Sequence, residues 1–132
     1  MKVFALEDNE VRIVLFRKWI PTIHITKDVK VAIELLKKNS YSLIFLDHDL
    51  GGVFEVSGPN TGYEIAKYIA DNDIKGKIII HSYNTVGAKN MMALLPKAIY
   101  LPFGSFICVS TIENGELVNL EVKPSKLESI GD

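Results

Sequence analysis

The sequence predicts an α/β domain built on a doubly wound, five-stranded parallel sheet and extended by a C-terminal β-hairpin. Strand-like and helix-like apolar patterns alternate over most of the 132 residues, as in chains that form parallel sheets with helices on both faces. Strand-like runs such as residues 42–46 are almost continuously apolar, which is typical of strands covered on both sides. Near the C-terminus, Asn114 and Gly115 separate two β-rich runs, and Asn-Gly is a strong hairpin signal.

The first half of the chain predicts three strands and two helices. The strands are expected at residues 2–6, 22–25 and 42–46. Asn9 is suited to cap the first helix, which Pro21 ends, and either Thr26 or Asp28 can cap the second. The side chains expected to be buried are Val11, Val14, Leu15 and Trp19 in the first helix, and Val29, Ala32, Ile33 and Leu36 in the second.

The second half predicts two further helix–strand pairs and the hairpin. A Gly-rich loop over residues 51–60 leads to Thr61 and Glu64, which have the spacing of a capping box. The helix that follows is expected to bury Ile65, Ala66 and Ile69. Next come a strand at 77–80, a helix at 86–95, a strand at 98–101 and hairpin strands at 106–112 and 117–122, before a loosely held polar tail from residue 123. We therefore predict a domain of residues 1–104, with residues 105–132 forming a hairpin and tail packed on it.

Composition narrows the classes of function. A chain of 132 residues with 48% hydrophobic content suits one domain with one core. The 15 Lys and Arg residues nearly balance the 16 Asp and Glu residues, which argues against a long nucleic-acid track. No run of about 20 apolar residues occurs, so no membrane span is predicted. The lone Cys108 excludes a disulfide framework and a Cys-based zinc site, and it is expected to be a buried, inert thiol in a cytoplasmic protein.

Polar residues gather where three of the predicted strands end. The first strand leads into Glu7, Asp8 and Asn9, the third into Asp47, His48 and Asp49, and the fourth into His81, Ser82, Tyr83 and Asn84. Ligands of open α/β sheets bind beyond the carboxyl ends of the strands, so these residues form the candidate site. Each residue taken singly also has a structural explanation, as a helix cap or a hydrogen-bonded surface group. His24 lies apart from the group and is interpreted as structural or exposed.

Three carboxylates of this group, those of Glu7, Asp8 and Asp47, could approach one another from adjacent strands. They would repel one another unless a cation neutralised them, so a hard, oxygen-preferring ion such as Mg²⁺ suits them. With His48 and His81 added, a transition metal such as Mn²⁺ also fits. The alternative is that one carboxyl group is protonated or points away.

The two histidines at strand ends favour acid–base chemistry on a phosphate. An unperturbed imidazole has a pKa of about 6.5, so His48 and His81 could serve as base and acid. One would take a proton from a water that attacks phosphorus, and the other would protonate the departing oxygen.

A predicted helix start near the fourth strand favours phosphate binding. Ser82, Asn84 and the backbone N–H groups of Gly87 and Ala88 lie there, where a helix N-terminus attracts anions. Asn90, one turn further on, could add an amide donor or be an ordinary exposed helical residue.

Four segments, residues 3–8, 43–47, 62–66 and 78–82, resemble the response-regulator receiver domain over roughly residues 1–104. The resemblance implies a flavodoxin-like fold in which Glu7 and Asp8 match the metal-binding acids, Asp47 the phosphoacceptor and Ser82 the hydroxyl residue after the fourth strand. A receiver carries a lysine before the proline that ends its fifth strand, where it neutralises the acyl phosphate. Leu101 stands in that place here, which argues against ordinary phosphorelay signalling.

A narrower resemblance joins residues 48–52 (HDLGG) with residues 81–91 (HSYNTVGAKNM). Together they are similar to the cyclic-phosphate processing receiver domain, a family expected to act on cyclic phosphate ends. The site that this resemblance implies consists of Asp8, Asp47, His48, Asp49, His81, Ser82, Asn84 and Asn90.

Three hypotheses of function follow. The first is a phosphoesterase that processes a cyclic phosphate on an RNA end or a small nucleotide. His48 and His81 would be acid and base, and Asp8, Asp47 and Asp49 would hold a metal or orient an imidazole. The second is a module that binds such a nucleotide without turnover. The third is a degenerate receiver that signals through protein interaction.

Overall fold

The computed structural model describes residues 1–50 and 61–125, which form a five-stranded parallel sheet of order β2-β1-β3-β4-β5 and a separate two-stranded sheet. The parallel strands are β1 (Val3–Leu6), β2 (His24–Thr26), β3 (Leu43–Leu46), β4 (Lys77–Ile80) and β5 (Ile99–Tyr100). The helices are α1 (Glu10–Trp19), α2 (Val29–Lys38), α3 (Gly62–Asp71) and α4 (Thr85–Leu94). The hairpin consists of β6 (Phe106–Glu113) and β7 (Glu116–Pro124). The predicted fold class is confirmed; the loop predicted at 51–60 and the end of the tail lie outside the described residues.

Strands β1 and β3 are buried along their whole length because both faces of the sheet are covered. One face packs against α2, α3 and α4 through side chains such as Leu36, Ile65 and Met91. The other packs against α1 and the hairpin through Phe16 and Phe106. None of the described helices is long and apolar enough to cross a membrane.

Helix α1 begins at the predicted cap, where the Asn9 side chain accepts a hydrogen bond from the backbone N–H of Arg12. The predicted buried face of this helix is wrong in part, because Val11 and Val14 are 69% and 64% exposed. Phe16 is the fully buried residue of the helix instead. Its ring centroid lies 5.0 Å from that of Phe45 of β3. One large aromatic side chain therefore fills the core where the two valines were expected.

The other helix predictions hold with one exception. Asp28 caps α2 by accepting from the backbone N–H groups of Lys30 and Val31. Thr61 is the N-cap of α3, yet its side chain makes no capping hydrogen bond, so the predicted capping box with Glu64 does not form.

The hairpin turns at Asn114 and Gly115, whose φ angles of 52° and 79° suit the tight turn that Asn-Gly predicts. It packs its buried residues Phe106, Cys108 and Leu117 into the same core as α1. Burial raises the pKa of the Cys108 thiol to about 12, as expected of an inert thiol. The tail prediction is wrong at its start, because β7 extends to Pro124 and the backbone N–H of Ser125 donates to the carbonyl of Ser105.

Candidate functional site

The register of the central strands aligns the residues that follow them. Leu6 of β1 pairs with Leu46 of β3, and Leu46 pairs with Ile80 of β4. Each strand therefore ends at the same level, and Glu7, Asp47 and His81 come next, side by side. One ligand atom from each of these three side chains lies within 4.8 Å of the others.

A cleft of about 340 Å³ opens above this rim. Its described lining consists of Asp8, Asn9, Arg12, Asp47, Asp49, Ser82, Tyr83 and Asn84. The cleft therefore contains three carboxyl groups, a guanidinium, a hydroxyl and amides, a set of groups suited to a small polar ligand that carries a phosphate.

Glu7 lies beneath the cleft, fully buried, and both of its carboxylate oxygens are engaged. Oε2 accepts from the backbone N–H groups of Asp8 and Asn9, at 3.0 and 3.1 Å. Oε1 lies 2.9 Å from Nε2 of His81 and 3.6 Å from the guanidinium of Arg12. These contacts hold a charge in the interior without exposing it to the ligand.

His81 is fully buried among aromatic rings. The ring centroids of Phe16, Phe45 and Phe103 lie 5.4, 6.3 and 6.2 Å from that of the imidazole. Its Nδ1 has no hydrogen-bond partner among the described residues. We assign the proton to Nε2, which donates to Glu7, because a second N–H at Nδ1 would be buried without an acceptor.

The carboxyl groups of Glu7 and Asp47 differ sharply in acidity. Burial acts to raise the pKa of Glu7, but hydrogen bonds with His81, Asp47 and the backbone N–H of Asn9 act against it and hold the pKa below its usual range. Burial, followed by the charge and hydrogen bond of Glu7, raises the pKa of Asp47 to about 8. Burial also lowers the pKa of His81, which Glu7 only partly offsets. We conclude that His81 is neutral near neutral pH, that the proton shared by the two acids sits on Asp47, and that the two backbone N–H bonds keep Glu7 ionised.

His48 is also fully buried, behind a carboxylate that lines the cleft. Its Nδ1 lies 2.7 Å from Oδ1 of Asp49. The same oxygen accepts from Nδ2 of Asn84 at 3.0 Å, and Oδ1 of Asn84 accepts from the backbone N–H of Gly87. The end of β3 and the start of α4 are thus joined through one carboxylate.

Gly87 is needed where it stands because the His48 ring packs directly on it. A Cβ built at position 87 would lie 2.5 Å from Cγ and 2.8 Å from Nδ1 of that imidazole. Gly62 packs in the same way on the backbone after β3, since a Cβ built at position 62 would lie 1.8 Å from the carbonyl oxygen of Asp47. Both glycines are therefore tied to the residues that follow β3.

The donor set suits a hard divalent cation. Asp8 and Asp47 both line the cleft, and carboxylate oxygens are the preferred ligands of Mg²⁺ and acceptable to Mn²⁺. Glu7 belongs to the same cluster but already accepts four contacts, so of the three acids predicted to bind a metal, Asp8 and Asp47 have access from the cleft.

The structure brings together only part of the predicted site. Asp8, Asp47, Asp49, Ser82 and Asn84 line the cleft; Glu7, His48, His81, Gly87, Ala88 and Asn90 are not among its described lining. The N–H of Gly87 is taken by Asn84, and that of Ala88 by the carbonyl of Asn84. The roles predicted for the buried and distant residues stay predictions. His24 contacts Tyr41 at 2.7 Å and is not part of the described cleft lining, in agreement with its interpretation as structural or exposed.

The sequence reasoning missed Arg12, and it placed Asn9 and Tyr83 at the strand ends without a role in the site; all three line the cleft. The available signal for Arg12 was its place in the first turn of the helix that follows Glu7 and Asp8. Its side chain therefore starts close to the strand ends.

Comparison with known families decides which of the two resemblances is closer. Residues 1–97 match the family described as the cyclic-phosphate processing receiver domain. The chain belongs to this family. The matched region of this receiver domain ends before β5 and the hairpin, so the hairpin lies outside the shared part.

Solved structures agree with the receiver fold. The domain is similar to the N-terminal domain of an uncharacterized protein from Wolinella succinogenes, with a TM-score of 0.59, 16% identity, and coverage of 78% of this chain and 80% of the other. It is also similar to the signal receiver domain of a Vibrio parahaemolyticus protein described as a Luxo repressor (TM-score 0.60, 21% identity, 78% of each chain). A third is the response regulator TrrA from Thermotoga maritima, solved with Mg²⁺ and BeF (TM-score 0.57, 20% identity, 79% and 90%). At these identities the likeness shows the fold alone. A search of curated proteins found no match to the chain.

Proposed function

We propose that this receiver domain is a phosphoesterase that hydrolyses a cyclic phosphate, either at an RNA end or in a small nucleotide. One observation carries the proposal: Asp47 and Asp49 line the same cleft in opposite chemical settings. Asp47 holds a proton near neutral pH, with its pKa raised to about 8, whereas Asp49 accepts hydrogen bonds. Pairs of acids whose environments differ in this way are suited to act as acid and base.

We assign the base to Asp49. Its carboxylate reaches the cleft, and His48 behind it can share a proton gained from water. In this assignment His48 and His81 act through Asp49 and Glu7, because both imidazoles are buried. His81 then fixes the ionised Glu7, whose charge in turn keeps the proton on Asp47.

Hydrolysis in this cleft uses one base and one acid. Asp49 takes a proton from water as the water oxygen forms a bond to phosphorus. The bond from phosphorus to the 2′ or the 3′ oxygen breaks, and Asp47 gives its proton to that oxygen. The product is a phosphate monoester, and the proton on Asp49 returns to Asp47 through solvent. Ser82 and Asn84 contribute a hydroxyl and an amide that can orient the phosphate.

A divalent cation is part of the proposal. Asp8 would hold Mg²⁺ or Mn²⁺ from the cleft side, with Glu7 beneath it, and Asp47 would be a ligand only in its deprotonated form, after it has given up its proton. When bound, such an ion neutralises negative charge on a phosphate oxygen. Calorimetry with MnCl₂ should show binding to the wild-type protein that is lost in Asp8→Asn, while Asp71→Asn on the outer face of α3 keeps it. Equal heats from all three proteins would remove the metal from the proposal.

The test of function is turnover. Wild-type protein is incubated with cytidine 2′,3′-cyclic phosphate and with an RNA oligonucleotide that ends in a 2′,3′-cyclic phosphate, with and without MnCl₂, and the products are separated by chromatography. We expect a monophosphate product from the wild type and from the control variant Asp71→Asn, and little from Asp49→Asn. Substrates left intact by the wild type would contradict the proposal.

The burial of both imidazoles favours a second candidate, a module that binds a cyclic nucleotide without turnover. Calorimetry with cytidine 2′,3′-cyclic phosphate alongside the turnover assay separates the two functions. Binding with the ligand recovered unchanged would favour the module.

Ordinary receiver signalling is the third candidate, because Asp47 faces the cleft as a phosphoacceptor would. Leu101 in place of lysine and the proton on Asp47 both act against it. Intact mass after incubation with acetyl phosphate and Mg²⁺ should show no stable adduct. A phosphorylated Asp47 would return the protein to signalling.

A further inference from the structure

The guanidinium of Arg12 stands in the cleft and makes no side-chain hydrogen bond with the residues that the structure describes. Its Nη1 lies 3.6 Å from Oε1 of Glu7 and 3.9 Å from Oδ2 of Asp47, which are ion-pair distances and longer than hydrogen bonds. No acceptor within the described ranges 1–50 and 61–125 lies within hydrogen-bonding distance of it. The side chain is nevertheless only 17% exposed, so five N–H donors are held near the ligand space and left for another partner.

Two aromatic rings hold this guanidinium in place. Its Cζ lies 4.7 Å from the ring centroid of Tyr83 and 5.1 Å from that of Phe103. The hydroxyl of Tyr83 donates to the backbone carbonyl of Phe103, which ties the two rings together. These cation–π contacts restrain the guanidinium and leave its N–H donors for a ligand.

Arg12 supplies a positive charge among the acids of the cleft lining. Within the described part of the chain, Arg12 is the one Lys or Arg that lines the cleft, against the acids Asp8, Asp47 and Asp49. A phosphate entering this cleft meets carboxyl groups on several sides and needs a cation to bind. A guanidinium also matches two phosphate oxygens with two parallel N–H groups.

We propose that Arg12 is the phosphate-binding residue of this site and supplies from α1 the cation that Leu101 does not supply from the end of β5. The inference rests on the proposed function and narrows its ligand to an anionic cyclic phosphodiester gripped by its non-bridging oxygens. Tyr83 and Phe103 act as positioning residues for the guanidinium.

Binding measured against ligands of different charge tests this assignment. The probes are cytidine, which has no phosphate, and cytidine 2′,3′-cyclic phosphate, at one fixed ionic strength and with protein chemical shifts as the readout. We expect Arg12→Gln to weaken binding of the cyclic phosphate by about ten- to hundredfold, as for the loss of a hydrogen bond to a charged group. Binding of cytidine should change by less than about twofold, because a nucleoside offers no phosphate to Arg12.

Two further variants separate recognition from folding. Arg12→Lys keeps the charge near Glu7 and Asp47 but lacks the two-pronged donor edge, so we expect an intermediate affinity for the cyclic phosphate. Arg17→Gln, on the exposed side of the same helix, should leave both affinities unchanged. Circular dichroism identifies any variant that does not fold. If Arg12→Gln does not fold, the affinity of Arg12→Lys for the cyclic phosphate decides whether Arg12 binds the phosphate. Wild-type affinity of Arg12→Gln for the cyclic phosphate, or an equal loss for both probes, would overturn the assignment.

The outcomes distinguish this inference from the proposed function. Hydrolysis by the wild type with unchanged KM in Arg12→Gln would refute the role of Arg12 and leave the phosphoesterase standing. Charge-selective loss of binding in Arg12→Gln without hydrolysis by any protein would support Arg12 and refute the phosphoesterase. A wild type that neither binds nor hydrolyses the cyclic phosphate would refute both.

Discussion

The Nδ1 atom of His48 lies 2.7 Å from Oδ1 of Asp49, and of this pair only Asp49 is among the residues that line the cleft. A buried imidazole behind an accessible carboxylate is a pair in which a proton can be shared. The two residues should therefore behave as one unit in catalysis.

We predict that Asp49→Asn and His48→Gln each lower kcat for a cyclic nucleotide by about 10²- to 10⁴-fold. The double variant should be little worse than either single variant, because removal of one member already disables the unit. Steady-state kinetics of the three variants check this, with Asp71→Asn as the control. Fully multiplicative losses would show that the two side chains act independently.

Gly87→Ala should disturb His48 without touching the cleft lining. Alanine ordinarily favours a helix over glycine by about 1 kcal/mol, yet here the added Cβ would lie 2.5 Å from the imidazole. We expect a lower kcat and a shifted His48 ring signal in NMR spectra. Lys89→Ala, an exposed change in the same helix, should have neither effect. Wild-type activity and spectra for Gly87→Ala would contradict the close packing.

The raised pKa of Asp47 predicts a specific pH dependence of stability. The folded protein keeps a proton on Asp47 up to about pH 8, whereas the unfolded chain releases it near the ordinary value of 3.8. The folded state thus binds more protons between these values, and the stability contributed by this group falls as pH rises, by at most about 1.4 kcal/mol per pH unit. Asp47→Asn, which mimics the protonated form, should lack this pH-dependent contribution to stability.

Urea denaturation of wild type and Asp47→Asn across this pH range measures the effect. The difference in the free energy of unfolding should move in favour of the variant as pH rises from about 4 to about 8. Titrating groups away from this cluster contribute equally to both proteins and cancel in the difference. A difference that stays constant over this range would contradict the assignment of the proton to Asp47.

The buried pair of His81 and Glu7 should be costly to break. His81→Leu removes the 2.9 Å hydrogen bond from a neutral imidazole to the ionised Glu7, which we expect to cost about 1.5–3 kcal/mol of stability. His24→Leu, which loses a contact with Tyr41 nearer the surface, should cost less. Denaturation midpoints at neutral pH compare the two. A cost no greater for His81→Leu than for His24→Leu would show that the pair does not support the rim of the sheet.

Much of the fold follows from the sequence because its signals are local. Continuous apolar runs give the buried strands, and Asn9, Asp28 and the Asn-Gly turn give the element ends. The exposed valines of α1 were misassigned because helical spacing alone does not say which of two apolar stripes faces the sheet. The large ring of Phe16 decides that in the packed core.

The candidate site was predictable as far as strand ends define it. Parallel strands that end at one level bring Glu7, Asp47 and His81 together, and the sequence shows all three. The burial of the two histidines was not predictable, since hydrophobic periodicity does not show that the imidazoles lie behind carboxylates. The position of Arg12 depends on contacts with Tyr83 and Phe103, which are distant in sequence.

Phosphorus NMR in water enriched with ¹⁸O tests the central claim, that groups lining this cleft direct water onto a cyclic phosphate. The wild-type protein should convert the resonance of cytidine 2′,3′-cyclic phosphate into that of a monophosphate whose phosphate carries one heavy oxygen, and Asp49→Asn should not. A cyclic phosphate resonance that persists with the wild type, or a monophosphate without the heavy oxygen, would contradict the account.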